Sequence, residues 1–201
     1  MGTSAGLQNP IPFIIEVNTI AHKYEEGKEA KKMDVKFPIG QLQVPDNVTV
    51  EHIQEWLGKI DSYTLRLREA VDGLSDEQLG KKYREGSWTV RQLVHHIADS
   101  QLTLYQRLKL ALTEDKPVVL SFAEEQWATL PDNELPVESS IRMLEGLNER
   151  SVALGQHLTE QQWERVFTHQ TDGEISIASN LAKLCWHEEH HLAHINIALE
   201  N

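Results

Sequence analysis

Residues 177–199 read IASNLAKLCWHEEHHLAHINIAL, and this stretch decides the fold. Its apolar residues recur at helical spacing, which is typical of the buried face of an α-helix. That face consists of Ile177, Leu181, Leu184, Ile195 and Leu199. Ser176 precedes it and is a favourable N-cap. The stretch therefore predicts a long helix that packs one face against other helices.

The same periodicity predicts three further long helices, which begin near Thr49, Thr89 and Val137. A Ser or Thr followed three residues later by Gln is a capping box, which opens a helix by satisfying its first backbone N–H groups. This pattern occurs at Ser75–Gln78, Thr89–Gln92 and Thr159–Gln162. It opens one of the long helices and two short ones.

The second and third long helices are joined by a long connection from about Glu114 to Pro136, which contains three prolines. Four long helices with one long connection predict an all-α fold, a four-helix bundle with a crossover between the second and third long helices. The apolar runs at 37–39 and 118–120 are too short to seed a sheet. We expect no strands to compete with the helices.

Residues 1–33 read differently from the rest and are predicted to be an extension. They open with a small, polar hexapeptide and contain a charged run at 24–32. Their apolar patch, Ile11–Ile15, is too hydrophobic to remain in water, and we expect it to dock on the bundle or across a dimer interface. Residues 34–201 are predicted to be the bundle domain.

The composition limits the classes of function. The chain of 201 residues carries a formal charge of −12, which repels phosphate backbones and anionic lipid. We therefore expect no nucleic acid and no membrane as partner. Its single cysteine, Cys185, cannot form an internal disulfide, and no run is long enough to span a bilayer. A cytoplasmic location is the simplest interpretation.

Four histidines lie within eight residues of the last helix. Histidines four residues apart project from one face on adjacent turns, where both imidazoles can bind one metal ion. His187 with His191 and His190 with His194 both have this spacing. On a helical wheel the first pair lies closer to the apolar face, so we predict that His187 and His191 are ligands.

A second pair, His95 and His96, lies on the second long helix. The wheel favours His96 only slightly, so the residues alone leave the choice nearly open. We predict that His95 and His190 are not ligands, because each lies on the polar side of its helix. Two histidines from one helix and one from another would make a three-histidine site with a free position, typical of a catalytic metal. The alternative is a set of histidines at a solvated edge of the bundle.

Three segments resemble the YfiT-like branch of the DinB superfamily: YREGSWTVRQLVHHIADS at 83–100, WHEEHHLAHI at 186–195 and FPIG at 37–40. The resemblance covers the chain from about residue 34 onward. It implies a homodimeric four-helix bundle that holds one divalent metal ion per chain, zinc or nickel. It also implies that the ligands are His96, His187 and His191.

The resemblance implies an enzyme that acts on a small-molecule substrate, and leaves its reaction open. Members of this branch are described as metal-dependent hydrolases, whereas related proteins are thiol S-transferases, which join a low-molecular-weight thiol such as bacillithiol to electrophiles. A non-catalytic module for metal binding and dimerisation is a third interpretation. Glu188 is our candidate catalytic residue, as a base or as a partner of a ligand, and a structural role is an equal alternative.

Four other residues have a simpler expected role. Arg107 could hold an anionic substrate group, although a salt bridge to a neighbouring helix is the preferred interpretation. Asp99 and Glu189 are expected to be solvated. Cys185 is expected to be a small buried residue without a chemical role.

Overall fold

The computed structural model describes residues 34–201, which form one compact unit. Our prediction for Ile11–Ile15 lies outside the described residues. The long helices are α1 (Val50–Val71), α3 (Val90–Thr113), α5 (Glu138–Gly155) and α7 (Ile177–Glu200), and the short ones are α2 (Asp76–Leu79), α4 (Glu124–Trp127) and α6 (Glu160–Trp163). No helix in this part of the chain is both long and apolar enough to cross a membrane.

The long helices form a four-helix bundle in which α1 and α3, although consecutive among the long helices, lie diagonally opposite each other. Helix α1 packs against α5 and α7, and α3 packs against the same two helices. The crossover between α3 and α5 carries α4 and a 3₁₀ turn at Pro131–Glu134. The predicted all-α bundle with a long crossover is confirmed.

The predicted capping boxes open helices in the structure. Ser75, Thr89 and Thr159 each accept a hydrogen bond from the backbone N–H three residues later, and the Gln at that position closes each box. Ser176 likewise caps α7 by accepting from the N–H of Ser179. These local signals determine where α3 and α7 begin, and so they determine how far along each helix the histidines lie.

The structure also contains a small sheet, so our expectation that no strand would form was wrong. Strand β1 (Val118–Val119) pairs in parallel with β2 (Val166–His169), which pairs in antiparallel register with β3 (Gly173–Ser176). The turn between β2 and β3 ends at Gly173, whose φ of 79° suits glycine. The two residues of β1 are stable as a strand because the hairpin supplies the backbone partners that they lack alone.

A buried polar layer separates two apolar clusters of the bundle. One cluster includes Ile60, Leu104 and Leu181, and the other includes Leu67, Val94 and Ile195. Between these levels of α3 and α7 several buried side chains are polar, among them His96, Ser100, Gln101, His187 and Glu188. The sequence therefore places its polar chemistry at mid-height of the bundle, where apolar packing holds it on both sides.

Candidate metal centre

The structure brings His96, His187 and His191 together. His96 projects from α3, and the other two project from adjacent turns of α7. The Nε2 atoms of His96 and His187 lie 3.1 Å apart, and one ring nitrogen from each of the three lies within 4.8 Å of the others. Three nitrogen donors from two helices thus converge on one point.

This geometry fits a divalent metal ion. A tetrahedral ion bonded to imidazole nitrogens at about 2.0–2.1 Å holds those nitrogens about 3.4 Å apart. The 3.1 Å between the Nε2 atoms of His96 and His187 is close to that separation. Two bare ring lone pairs at this distance would repel, so an ion or a proton between them is needed. Three imidazoles leave a fourth position open, as catalytic sites do.

Burial keeps the three histidines in the form that binds metals. Burial lowers the pKa of His96 to about 4. It also lowers the pKa of His187 and His191 well below the usual value, with a further contribution from the neighbouring histidines. A neutral imidazole offers a lone pair, whereas a protonated one does not. All three rings are therefore uncharged at neutral pH and available as ligands.

A chain of hydrogen bonds fixes which nitrogen of His191 is free. The carbonyl of Val35 can only accept, so Nε2 of His194, 3.1 Å away, donates its proton there. Nδ1 of the neutral His194 then accepts from Nδ1 of His191, 3.3 Å away. This leaves Nε2 of His191 without a proton, as a metal ligand requires.

His190, His191 and His194 form a second group whose nitrogens lie equally close together. In this group His194 is already bonded to Val35 and stacks on Tyr83, with ring centroids 3.9 Å apart. His190 stacks on Trp186, with centroids 4.4 Å apart. The cavity described below reaches His187 and none of these three residues. The first group is thus the one with access for a substrate.

Our reason for setting His95 and His190 aside was wrong, because neither side chain lies on a polar face. Both are buried, at 5% and 6% exposure. His95 uses both ring nitrogens in other contacts, with Ser140 Oγ at 2.7 Å and the carbonyl of Leu135 at 3.1 Å. It thereby ties α3 to the start of α5, and that contact occupies the nitrogens that a metal would need.

Glu188 lies in the buried layer between α7 and α5. It is 1% exposed, and its Oε1 accepts a hydrogen bond of 2.7 Å from Nδ2 of Asn148. Burial raises the pKa of this carboxyl group to about 8. Glu188 does not line the cavity beside His187. The sequence reasoning did not find Asn148, since an isolated Asn on a helix gives no signal of a buried partner.

A cavity of about 470 Å³ adjoins the histidines. His187 and Ser100 lie at one end, and the hydroxyl of Ser100 is 3.4 Å from Nε2 of His96. Phe122 and Phe167 contribute apolar walls. Arg107 also lines this cavity and forms no ion pair with the described residues, so the predicted salt bridge was wrong.

The remaining predictions on single residues had mixed outcomes. Cys185 is free and buried, as expected, and burial raises the pKa of its thiol to about 12. Glu189 is not simply solvated, because it accepts a two-pronged ion pair from Arg66. Asp99 is half-buried, and burial raises the pKa of its carboxyl group to about 6.

Known proteins match this chain over nearly all of their own length. The model of the DinB superfamily matches residues 64–195. A protein of Oceanobacillus iheyensis named "Putative metal-dependent hydrolase" is 66% identical over 84% of this chain and 98% of its own length. A protein of the same description from Halalkalibacterium halodurans is 45% identical over 83% of this chain and 98% of its own.

Among solved structures, YfiT from Bacillus subtilis matches with a TM-score of 0.78 and 36% identity. The match covers 81% of this chain and 94% of YfiT, which is described as "a probable metal-dependent hydrolase with an unusual four-helix bundle topology". The diagonal placement of α1 and α3 is in keeping with that description. This chain belongs to the DinB superfamily, as its sequence motifs indicated.

Proposed function

We propose that this protein is a metal-dependent hydrolase whose ion is bound by His96, His187 and His191. The observation that carries the proposal is the convergence of three neutral imidazoles beside a cavity large enough for a small molecule. A divalent ion held there would supply Lewis acidity, polarising a substrate carbonyl and lowering the pKa of water in the open position. The names of the relatives support the same reaction class.

The protein's own residues hold and orient the histidines and shield the site from bulk water. The ring of Trp88 packs on His96 with centroids 4.3 Å apart, which limits rotation of that imidazole. The ring of Phe122 also lies near His96, with centroids 6.4 Å apart. These rings exclude bulk water and so strengthen the electrostatic interactions inside the cavity.

Zinc and nickel are the proposed ions, one per chain. Imidazole ligands suit both ions, and the described donor set contains no thiolate or carboxylate that would favour another metal. Purified protein stripped of metal and reloaded with each ion would identify the native one. The proposal expects one equivalent of bound metal per chain and activity only in the loaded form.

The reaction class is tested with a panel of esters and amides beside a mixture of a low-molecular-weight thiol and an electrophile. We expect hydrolysis by loaded wild-type protein and by His157→Ala, which changes an exposed histidine in the turn after α5. We expect no hydrolysis by His187→Ala. Thiol conjugate without hydrolysis would replace the proposal by the S-transferase alternative. Neither product would favour the non-catalytic module.

We also propose that the protein is a homodimer, on the strength of the family resemblance. Sedimentation equilibrium should give twice the chain mass of 22.9 kDa. A monomer at all concentrations would contradict this assignment and would leave the metal site, which is built from one chain, unaffected.

A further inference from the structure

The cavity beside the histidines continues well beyond them. It runs between α3 and α7, and the sheet and the start of the crossover close it. Ser100 and His187 mark the metal end, and Arg107 and Ile175 line it farther along. On α3 the rise from Ser100 to Arg107 is about 10 Å, since an α-helix advances 1.5 Å per residue. The cavity is therefore elongated and has more room than the reacting group of a substrate needs.

Arg107 lines this cavity, and most of its N–H donors have no partner among residues 34–201. Its one hydrogen bond to the described residues runs from Nη2 to the carbonyl of Leu120, at 3.0 Å. A guanidinium group has five N–H donors in a planar fork that matches the two oxygens of a carboxylate or phosphate. The side chain is half-buried, and burial lowers its pKa by more than the nearby carboxylate of Asp172 raises it.

Neither acidic residue that lines the cavity, Glu124 or Asp172, forms an ion pair with Arg107, although the charge of Asp172 acts on it from a distance. Asp172 is paired with His169 at 3.1 Å and is largely exposed. Burial raises the pKa of Glu124, the charge of Glu125 adds to this rise, and the charge of Lys183 opposes it. Lys183 is exposed and lies over the ring of Trp186. Arg107 is thus a half-buried cation of this cavity that makes no direct ion pair with residues 34–201.

Apolar side chains line the path between the two ends. Leu104, Phe122, Phe167 and Ile175 all contribute to the walls. Such walls favour a hydrocarbon segment, because apolar burial contributes about 25 cal/mol per Å². A matching ligand has an uncharged middle and a charged end.

We propose that the substrate carries a carboxylate or phosphate group that binds Arg107, about 10 Å from the reacting group at the histidines, with an apolar segment between them. This deepens the proposed hydrolase function and rests on it. Arg107 is a specificity-determining residue that holds the far end of the substrate and takes no part in bond cleavage. The substrate class is an ester or amide of an elongated acid.

The test uses two probes that differ in one charge. The first is suberic acid monohydroxamate, in which six methylene groups separate a metal-binding hydroxamate from a carboxylate. The second is the same molecule with a primary amide in place of the carboxylate. Each is titrated calorimetrically into metal-loaded and metal-free protein, as wild type and as Arg107→Met, Arg107→Lys and Arg142→Met. Arg142 is an exposed arginine of α5 outside the cavity and serves as the control.

The proposal expects wild-type protein to prefer the carboxylate probe about tenfold, in keeping with one charge-assisted contact. Arg107→Met should remove the preference, Arg107→Lys should retain part of it, and Arg142→Met should leave it unchanged. The result is the ratio of the affinities of the two probes for the same protein sample, so a general loss of folded protein does not change it. Equal affinity for both probes in wild-type protein, or an unchanged preference in Arg107→Met, would overturn the anion subsite.

The metal site and the anion subsite can fail separately in this experiment. Failure of the metal site would appear as no gain in affinity for either probe on metal loading, while the carboxylate preference of metal-free protein still reports on Arg107. Failure of the subsite alone would appear as metal-dependent binding of both probes without a preference.

Discussion

At the scale of single residues, the hydrogen-bond chain from His191 through His194 to Val35 sets the tautomer of His191, one of the three proposed ligands. Metal-binding histidines commonly donate their second N–H to an acceptor, which orients the ring and raises its basicity. Here the acceptor is another histidine, held by a backbone carbonyl of the segment before α1. His194 is therefore a positioning residue for the metal site.

Replacing His194 tests this arrangement. We expect His194→Ala to weaken metal binding about 10- to 100-fold, because Nδ1–H of His191 loses its acceptor. His194→Asn should recover part of the affinity, since its amide oxygen can lie near the former Nδ1 position. Metal affinity measured by competition with a chelating dye gives the result, with His157→Ala as control. Wild-type affinity in His194→Ala would refute the positioning role.

A single substitution can show whether the role of Glu188 is structural or catalytic. Because burial raises its pKa to about 8, the carboxyl group is largely protonated at pH 7, and glutamine is a close substitute. We expect Glu188→Gln to keep its metal and to lose less than about threefold in kcat. A general base contributes about 10²–10⁴-fold. A loss of that size with full metal content would assign Glu188 to catalysis.

At the scale of secondary-structure elements, the helices could be predicted because their signals are local. Apolar periodicity and capping boxes lie within a few residues, and they gave the starts of α3 and α7 correctly. The sheet was missed because β1 depends on a partner some fifty residues away along the chain. The β2–β3 hairpin did carry a local signal, because Asp172-Gly173 is a frequent turn sequence and lies between two short segments that contain β-branched residues.

Helix α3 carries a carboxyl group, that of Asp99, which makes the stability of the folded protein depend on pH. The pKa of Asp99 is raised from 3.8 to about 6, mainly by burial. Between these values the folded protein holds the proton more tightly than the unfolded chain does. The free energy of unfolding therefore falls as pH rises through this window, and the loss is complete above it.

Asp99→Asn should remove this dependence. We expect the variant to be more stable than wild type by about 1 kcal/mol at pH 7.5, a value reduced for partial exposure, and to approach wild type near pH 4. Urea unfolding at pH 4, 6 and 7.5 measures it, with Asp61→Asn on the exposed face of α1 as control. A difference that does not change with pH would show that Asp99 does not titrate in this range.

At the scale of the whole molecule, the candidate site depends on packing that no single segment reveals. The helical wheel favoured His187 and His191 as ligands, which the structure places beside His96, but it could not separate His95 from His96 without the family resemblance. It also placed His190 and His194 too far from the interior, because residues 34–42 cover that face of α7. In this cover the carbonyl of Gly40 accepts from Trp186 and that of Val35 from His194.

Removing the predicted extension tests the domain boundary. A chain that starts at Met33 keeps Val35 and Gly40, and so it keeps these contacts with α7. We expect it to fold, to bind one metal ion and to retain activity, with some loss of stability. Metal stoichiometry and thermal unfolding beside the full chain give the result. A folded, truncated protein without metal would mean that residues 1–32 help to build the site.

The central claim is that one ion lies between His96, His187 and His191. Crystals of zinc-loaded protein, measured on both sides of the zinc absorption edge, locate the ion directly by anomalous difference density. The account predicts one strong peak per chain, about 2.0–2.1 Å from a ring nitrogen of each of the three histidines. A peak among His190, His191 and His194, or loaded protein with no peak near His96, would contradict it.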